Sequence, residues 1–403
     1  MHTSDKKTMI RAGWFIDGAG GPIRRHATFR IQEGRIADAD APRHADGGGL
    51  DFNDCTILPG LVDAHVHLSM SGTTDSHARR WQLDADYADI EKVIAGHIRD
   101  LLAHGVVAVR DGGDHQGHAH RYRLDHGDAC SLMVRTAGKA WHRKGRYGRL
   151  IGRFPADGES LGEAVSAETG AIDHVKIVNS GINSLTEFGK ETAPQFGAEE
   201  LAAAVRAASA RGWPVMVHAN GREPVRTAVE AGCRSIEHGF FMGKDNLKRM
   251  ADRGTFWVPT AGTMTAYAAT LPQGGAASDG ARRNAEAQRE QMARARELGV
   301  RVALGTDAGS MGVFHGAGVI EEMRLLMSAG YSISEAIRCA ATNGAALLNL
   351  PEAGPLEAGR AATFVVVDGP PSDLPDSLGR VRSVCINGRF LEGIGRTSEP
   401  LPA

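Results

Sequence analysis

Apolar and polar positions along the chain change rhythm near residue 60 and again near residue 353. Between 9 and 58, short apolar runs are cut off by turn residues: Gly13-Trp14-Phe15-Ile16 stops at Asp17-Gly18, and Ala27-Thr28-Phe29-Arg30-Ile31 stops at Glu33-Gly34. Gly47-Gly48-Gly49 then leads to a short apolar strand ending at Leu58-Pro59-Gly60. Runs this short, bounded by Gly and Asp, predict a small β-unit rather than strand–helix repeats. From residue 60 the texture becomes strand, loop, helix, repeated. Strands are expected at 61–67, 105–110, 131–137, 173–178, 214–219, 235–238, 255–260 and 300–306. Between them, stretches such as 87–103, 198–210 and 282–298 carry apolar residues every three or four positions, the period of an amphipathic helix. Eight such units over about 290 residues is the arithmetic of a (β/α)8 barrel. One more helical stretch at 332–350 precedes the turn Pro355-Leu356-Glu357-Ala358-Gly359, and strands return at 363–367 and 381–386. The predicted class is therefore α/β: a (β/α)8 TIM barrel over 60–352, with a small discontinuous β-sandwich domain made by segments 1–59 and 353–403.

Composition narrows the partners. Hydrophobic residues at 42% and charged residues at 23% fit a globular chain and argue against disorder. With 46 basic and 48 acidic residues the formal charge is −2, which gives no electrostatic case for nucleic acid or an anionic membrane. No run approaches the roughly 18 apolar residues of a membrane span, and Met1–Lys7 leads into no apolar signal core, so the expected compartment is the cytoplasm. Cys55, Cys130, Cys233, Cys339 and Cys385 are scattered and form no Cys-x-x-Cys pair, which argues against a disulfide framework and against a cysteine zinc site. Gly18-Ala19-Gly20-Gly21 is followed by Pro22 and no helical pattern, unlike a dinucleotide-binding turn. The partner to expect is a small-molecule substrate, with the chain working as a homo-oligomer.

Seventeen histidines point to the chemistry. His65-Val66-His67 ends an apolar run, and positions i and i+2 of a strand share a face. At the end of a barrel strand that face looks into the mouth where such barrels work, and paired imidazoles there can grip a divalent ion. Other expected strands close the same way: Pro214–Val217 on His218, Ser235–Glu237 on His238, and Val302–Thr306 on Asp307. Five ligand-type residues at neighbouring strand ends describe a metal site. Lys176, inside His174-Val175-Lys176-Ile177-Val178, lies on the face opposite Val175 and Ile177; a lysine pointing into a barrel has to be paired, neutral or modified. His118-Ala119-His120, in a polar stretch without a strand, reads as surface loop on the pocket rim.

These residues lie in stretches that resemble the metal-dependent amidohydrolase superfamily, in its prolidase-like and imidazolonepropionase-like branch. The matching segments are Leu58–His67, Val217-His218-Ala219-Asn220, Ser235–Gly239, Leu304–Asp307 and Ala341–Ala346, together with Ile16-Asp17-Gly18 and Glu33–Ile36 near the start. One departure is Arg360-Ala361-Ala362-Thr363-Phe364, where relatives carry Lys-x-Ala-Asp-Leu. The resemblance implies two zinc ions per chain, with manganese, cobalt or iron compatible with the same donors. His65, His67 and Asp307 would hold one ion and His218 and His238 the other. Lys176, in its Lys-Ile-x-x-Ser-Gly context, would be carboxylated by CO2 and bridge them. It further implies that a metal-bridging hydroxide attacks an amide or peptide-like carbonyl, with Asp307 as general base and acid. Deaminases of the superfamily carry a glutamate three residues after the third histidine; here Gly221 stands there.

The loop from Trp141 to Arg153 holds five Lys or Arg among thirteen residues, which suggests a carboxylate-bearing substrate such as an N-acyl amino acid or dipeptide. His142 matches the position of a carbonyl-polarising histidine in prolidase-like relatives, and Tyr147 and Arg222 are further candidates for substrate contact. The same site would serve a lactonase or a phosphoester or carbamate hydrolase. A mononuclear version would suit opening of a cyclic amide of the imidazolone type.

Overall fold

The computed structural model describes residues 8–41, 49–127 and 129–393. Met1–Lys7, the Gly47-Gly48 turn and the last residues of the expected C-terminal segment lie outside them. Strands β1 (Thr8–Phe15), β2 (Arg24–Gln32), β3 (Arg35–Asp38) and β4 (Gly49–Pro59) form first. The chain then runs from β4 through Gly60 directly into β5 (Leu61–Val66). Only glycine suits that junction, because a Cβ on residue 60 would stand 2.6 Å from the Val107 side chain.

Helices α1 (Ser76–Asp84) and α2 (Tyr87–Ala103) lead to β6 (Val106–Asp111), and α3 (His118–His126) leads to β7 (Met133–Thr136). Short strands β8 (Ala140–Trp141) and β9 (Gly152–Arg153) precede β10 (Val175–Val178), β11 (Val215–Ala219), β12 (Ser235–His238) and β13 (Phe256–Val258). Neighbours in these sheets are parallel, in the orders β5-β6-β7 and β13-β12-β11-β10-β8-β9. Every residue of β5, β6, β10, β11 and β12 is buried, as expected of parallel strands covered on both faces. Helix α2 contributes Ile90, Ile94, Ile98 and Leu101 to that cover, each adding roughly 1.5–3 kcal/mol by its burial.

The expected eighth strand, 300–306, is not a regular strand. It makes isolated parallel bridges instead, Val302 with Trp257 and Ala308 with Val66, and Ala64 N–H donates to the Leu304 carbonyl at 2.9 Å. The segment thus links β13 on one side to β5 on the other. Its irregularity has local causes. A Cβ on Gly305 would stand 2.4 Å from Val258, and Asp307 adopts φ +58°, which turns the backbone out of the ladder. The polar stretch at His118–His120, expected as loop, is the first turn of α3, with His118 buried. Among the described residues no helix is long and apolar enough to cross a membrane.

Past the last helices, β14 (Phe364–Asp368), β15 (Val381–Ile386) and β16 (Arg389–Phe390) return to the first strands. One seven-stranded sheet results, in the order β16-β15-β14-β4-β1-β2-β3, with β4 parallel to β1 and antiparallel to β14. The rings of Phe29 on β2 and Phe364 on β14 touch at 5.5 Å although β1 and β4 lie between their strands. The sheet therefore curls over a core of its own containing Ile10, Phe15, Ile57 and Val366. The pairing is that of a single curled sheet where the sequence predicts a sandwich.

Candidate metal centre

His65 and His67 leave the end of β5 on one face, and each is oriented through Nδ1. His65 Nδ1 meets Glu237 Oε2 at 2.9 Å, and His67 Nδ1 meets the Gly113 carbonyl at 2.9 Å. A carbonyl can only accept, so Nδ1 of His67 carries a proton and Nε2 is the atom turned toward a ligand; burial lowers the pKa of this ring, but the Asp307 carboxylate beside it outweighs that and raises it. Both Nε2 atoms approach Asp307 Oδ1, at 3.5 and 3.4 Å. These three donors all lie within 4.8 Å of one another, a spacing suited to one divalent ion. Strand β6 passes so close that a Cβ on Gly112 would stand 2.8 Å from the His67 ring.

Asp307 is held from several sides. Its N–H donates to the His65 carbonyl at 2.7 Å, and Ser310 Oγ donates to its Oδ2 at 3.1 Å. The preceding Thr306 donates through N–H and Oγ1 to the buried Asp63, at 2.9 and 2.6 Å. Burial opposes the charge on Asp307, but His65, His67 and His238 around it hold its carboxyl well below the usual carboxylate range.

Lys176 is buried, with Nζ 3.5 Å from His65 Nε2. Burial lowers its pKa to about 8; Glu237 opposes that shift and Arg110 adds to it. His238, at φ +66°, bonds Thr260 Oγ1 through Nδ1 at 2.7 Å, while His218 Nε2 contacts the Gly181 carbonyl at 3.1 Å. The His238 ring centroid lies 5.0 Å from His65 and 4.6 Å from His218. Burial brings His218 down to about 4 and His238 to about 3, which keeps both imidazoles neutral and available as ligands. Two of these donors, His238 and Asp307, stand in the left-handed region that non-glycine residues rarely adopt, backbone strain of the kind found at functional sites.

All six residues, His65, His67, Lys176, His218, His238 and Asp307, line one cavity of about 300 Å3. Imidazoles of His65, His218 and His238 kept neutral by burial, a fourth on His67 beside an ionised carboxylate, and a weakly basic amine together fit divalent metal. The model of the Amidohydrolase family matches residues 56–392. The chain belongs to the amidohydrolase family. It is a hydrolase acting on carbon–nitrogen bonds.

This amidohydrolase is 25% identical over 414 residues to the ochratoxinase of Aspergillus niger, covering 91% of this chain and 82% of that one. It is 27% identical over 391 residues to the imidazolonepropionase of Salinispora arenicola, covering 88% and 89% respectively. Among solved structures, that of a Xaa-Pro dipeptidase with bound methionine in the active site superposes with a TM-score of 0.82. The match has 27% identity and covers 96% of this chain and all of the other.

The remaining residues singled out in the sequence are placed less uniformly. Tyr147 lines the amidohydrolase cavity, its ring 5.3 Å from that of His218. His142 is buried outside the cavity lining, with Nδ1 3.0 Å from the Arg143 carbonyl. Arg222 is exposed and also outside the lining; its backbone N–H donates to Glu191. Three basic side chains of this loop are engaged by the protein itself: Arg143 pairs with Glu200 at 2.7 Å, Lys144 with Asp157 at 2.8 Å, and Arg146 donates to the Ala193 carbonyl at 3.0 Å.

Two residues missed in the sequence support the metal donors. Glu237, fully buried, takes His65 on one oxygen and Arg110 on the other, the latter at 2.8 Å. Arg110 also donates to Ser235 Oγ and to the Ala64 carbonyl. Their signal was present, since each is a charged residue inside an apolar strand.

Proposed function

We propose that this protein cleaves an amide or peptide-like C–N bond of a small carboxylate-bearing molecule, such as an N-acyl amino acid or a dipeptide. The site would sit at the mouth of a (β/α)8 barrel spanning 60–352 and hold two zinc ions. The observation that carries this reading is the convergence of four histidines, Asp307 and a weakly basic Lys176 on one cavity. His65, His67 and Asp307 would hold one ion, His218 and His238 the other, and a carboxylated Lys176 would lie between them. When bound, the ions supply Lewis acidity and a water acidified to near neutrality.

The protein's own groups do the rest. Asp307, ionised at neutral pH, holds the proton given up by the attacking water and returns it to the departing nitrogen. Glu237 and the Gly113 carbonyl keep His65 and His67 in position during that exchange. Tyr147, its hydroxyl held in the neutral form by desolvation and the nearby Asp307 charge, can donate to the substrate carbonyl.

A panel of N-acyl amino acids, dipeptides, lactones and a phosphotriester, offered to the metal-replete protein, tests the assignment. Turnover of the first two classes is expected; turnover of the last two alone would overturn it.

The amine of Lys176 sets a pH dependence. Carboxylation consumes the neutral amine, and burial places half-neutralisation near pH 8 in place of 10.5. At fixed dissolved CO2, binuclear reconstitution of metal-free protein should therefore speed up from pH 6 to pH 8 and level off above. Rates that keep climbing beyond pH 10 would contradict this.

A further inference from the structure

One arginine, Arg79 of α1, lines the cavity that holds the metal donors. Its guanidinium is fixed on one side: Nη1 donates to the carbonyls of Ser71 at 2.7 Å, Gly309 at 3.1 Å and Thr73 at 3.4 Å. Among the described residues no carboxylate lies within ion-pair distance of Arg79, and Nε and Nη2 have no hydrogen-bond partner.

The acidic groups that share the cavity are committed elsewhere. Asp114 accepts backbone N–H groups at the start of α3, from Gln116, His118 and Ala119. Asp307 is engaged by His65, His67 and Ser310. Arg79 is half-buried, so its charge has lost part of its hydration without gaining a counter-charge. Tyr267, a further cavity residue, lies close enough to interact with that charge. A guanidinium pinned by carbonyls at one nitrogen, with Nε and Nη2 free, keeps the edge that grips a carboxylate in two parallel hydrogen bonds.

We propose that Arg79 anchors the substrate's free carboxylate and thereby selects N-acyl amino acids or dipeptides over their uncharged carboxamide counterparts. The inference rests on the reading of the site as a C–N hydrolase of carboxylate-bearing molecules, and it moves recognition from the 143–146 loop to α1.

The test compares wild type, Arg79→Met and Arg79→Lys in the metal-replete full chain. Each is assayed on N-acetyl amino acids and on the matching N-acetyl amino acid amides. The acid-over-amide preference in kcat/KM is expected to fall about 10–100-fold in Arg79→Met, mostly through KM, and to recover partly in Arg79→Lys. An unchanged preference would overturn the proposal, including the case where both substrates lose activity equally because Arg79 only ties Ser71 to Gly309. Calorimetric binding of the same compounds separates this inference from the one beneath it. Should no C–N substrate turn over, the hydrolase assignment falls. Weaker binding of the acid alone by Arg79→Met would still support the anchor, and equal affinity would refute it.

Discussion

Lys176→Ala is expected to lower metal content from about two divalent ions per chain to about one, with activity reduced more than about 100-fold. The residue is buried on β10, its Nζ 3.5 Å from His65 Nε2, so an anionic form of this side chain would stand among the donors. Without such an anion, two dications a few ångströms apart repel each other with little water to screen them. Elemental analysis gives the metal count, and intact mass of the wild type prepared with bicarbonate reports the added carboxyl group. A short-chain carboxylic acid should restore part of the variant's activity. Two firmly bound ions in the variant would show that Lys176 is not the bridge, and one ion with an unmodified lysine in the wild type would move the chain to the mononuclear branch.

The second large effect is on stability. Arg110 and Glu237 form an ion pair at 2.8 Å with side-chain exposures of 4% and 0%, so neither charge has water to fall back on. Arg110→Met leaves Glu237 with His65 and Ser235 alone and should cost about 3–5 kcal/mol in urea unfolding. The double variant Arg110→Met with Glu237→Gln should recover much of that loss, because no buried charge remains. Glu237→Gln also loosens His65, so metal affinity should fall by about 10–100-fold. A single Arg110 variant as stable as wild type would mean that the carboxylate is charge-compensated elsewhere.

What could be read from the sequence follows from where the information lies. Strands β5, β6, β10, β11 and β12 are buried on both faces, so they appear as unbroken apolar runs, and the donors stand out as polar residues at or near their ends. The segment 300–306 looks the same in sequence, yet close contacts at Gly305 and the turn at Asp307 break its ladder, and backbone contacts of that kind leave no hydropathy signal. The helix at His118 hid because its cap is the carboxylate of Asp114, four residues earlier, which accepts the His118 and Ala119 N–H groups. The 143–146 loop misled for a different reason. Its charges are visible in sequence, but their partners Glu200 and Asp157 lie 57 and 13 residues away. Arg79 and Tyr267 were missed because they reach the cavity from helices, where nothing in the local pattern marks them.

The seven-stranded sheet has a consequence for the order of assembly. Thr56 on β4 donates to the carbonyl of Gly369, 313 positions further along, and β5 continues from β4 with only Gly60 between. During synthesis β4 can pair with β1 early, but its other edge waits until β14 has left the ribosome. The strand that carries His65 is therefore tethered to a sheet that is finished only after every other candidate donor has been made. Entropy barely penalises so long a closure, since each doubling of a loop adds about 0.6 kcal/mol, but the rate of forming such distant pairs is slow. The nascent chain would thus carry its catalytic half unsealed until the last strands dock, a period in which the exposed edge of β4 is open to chaperones and to other copies of itself.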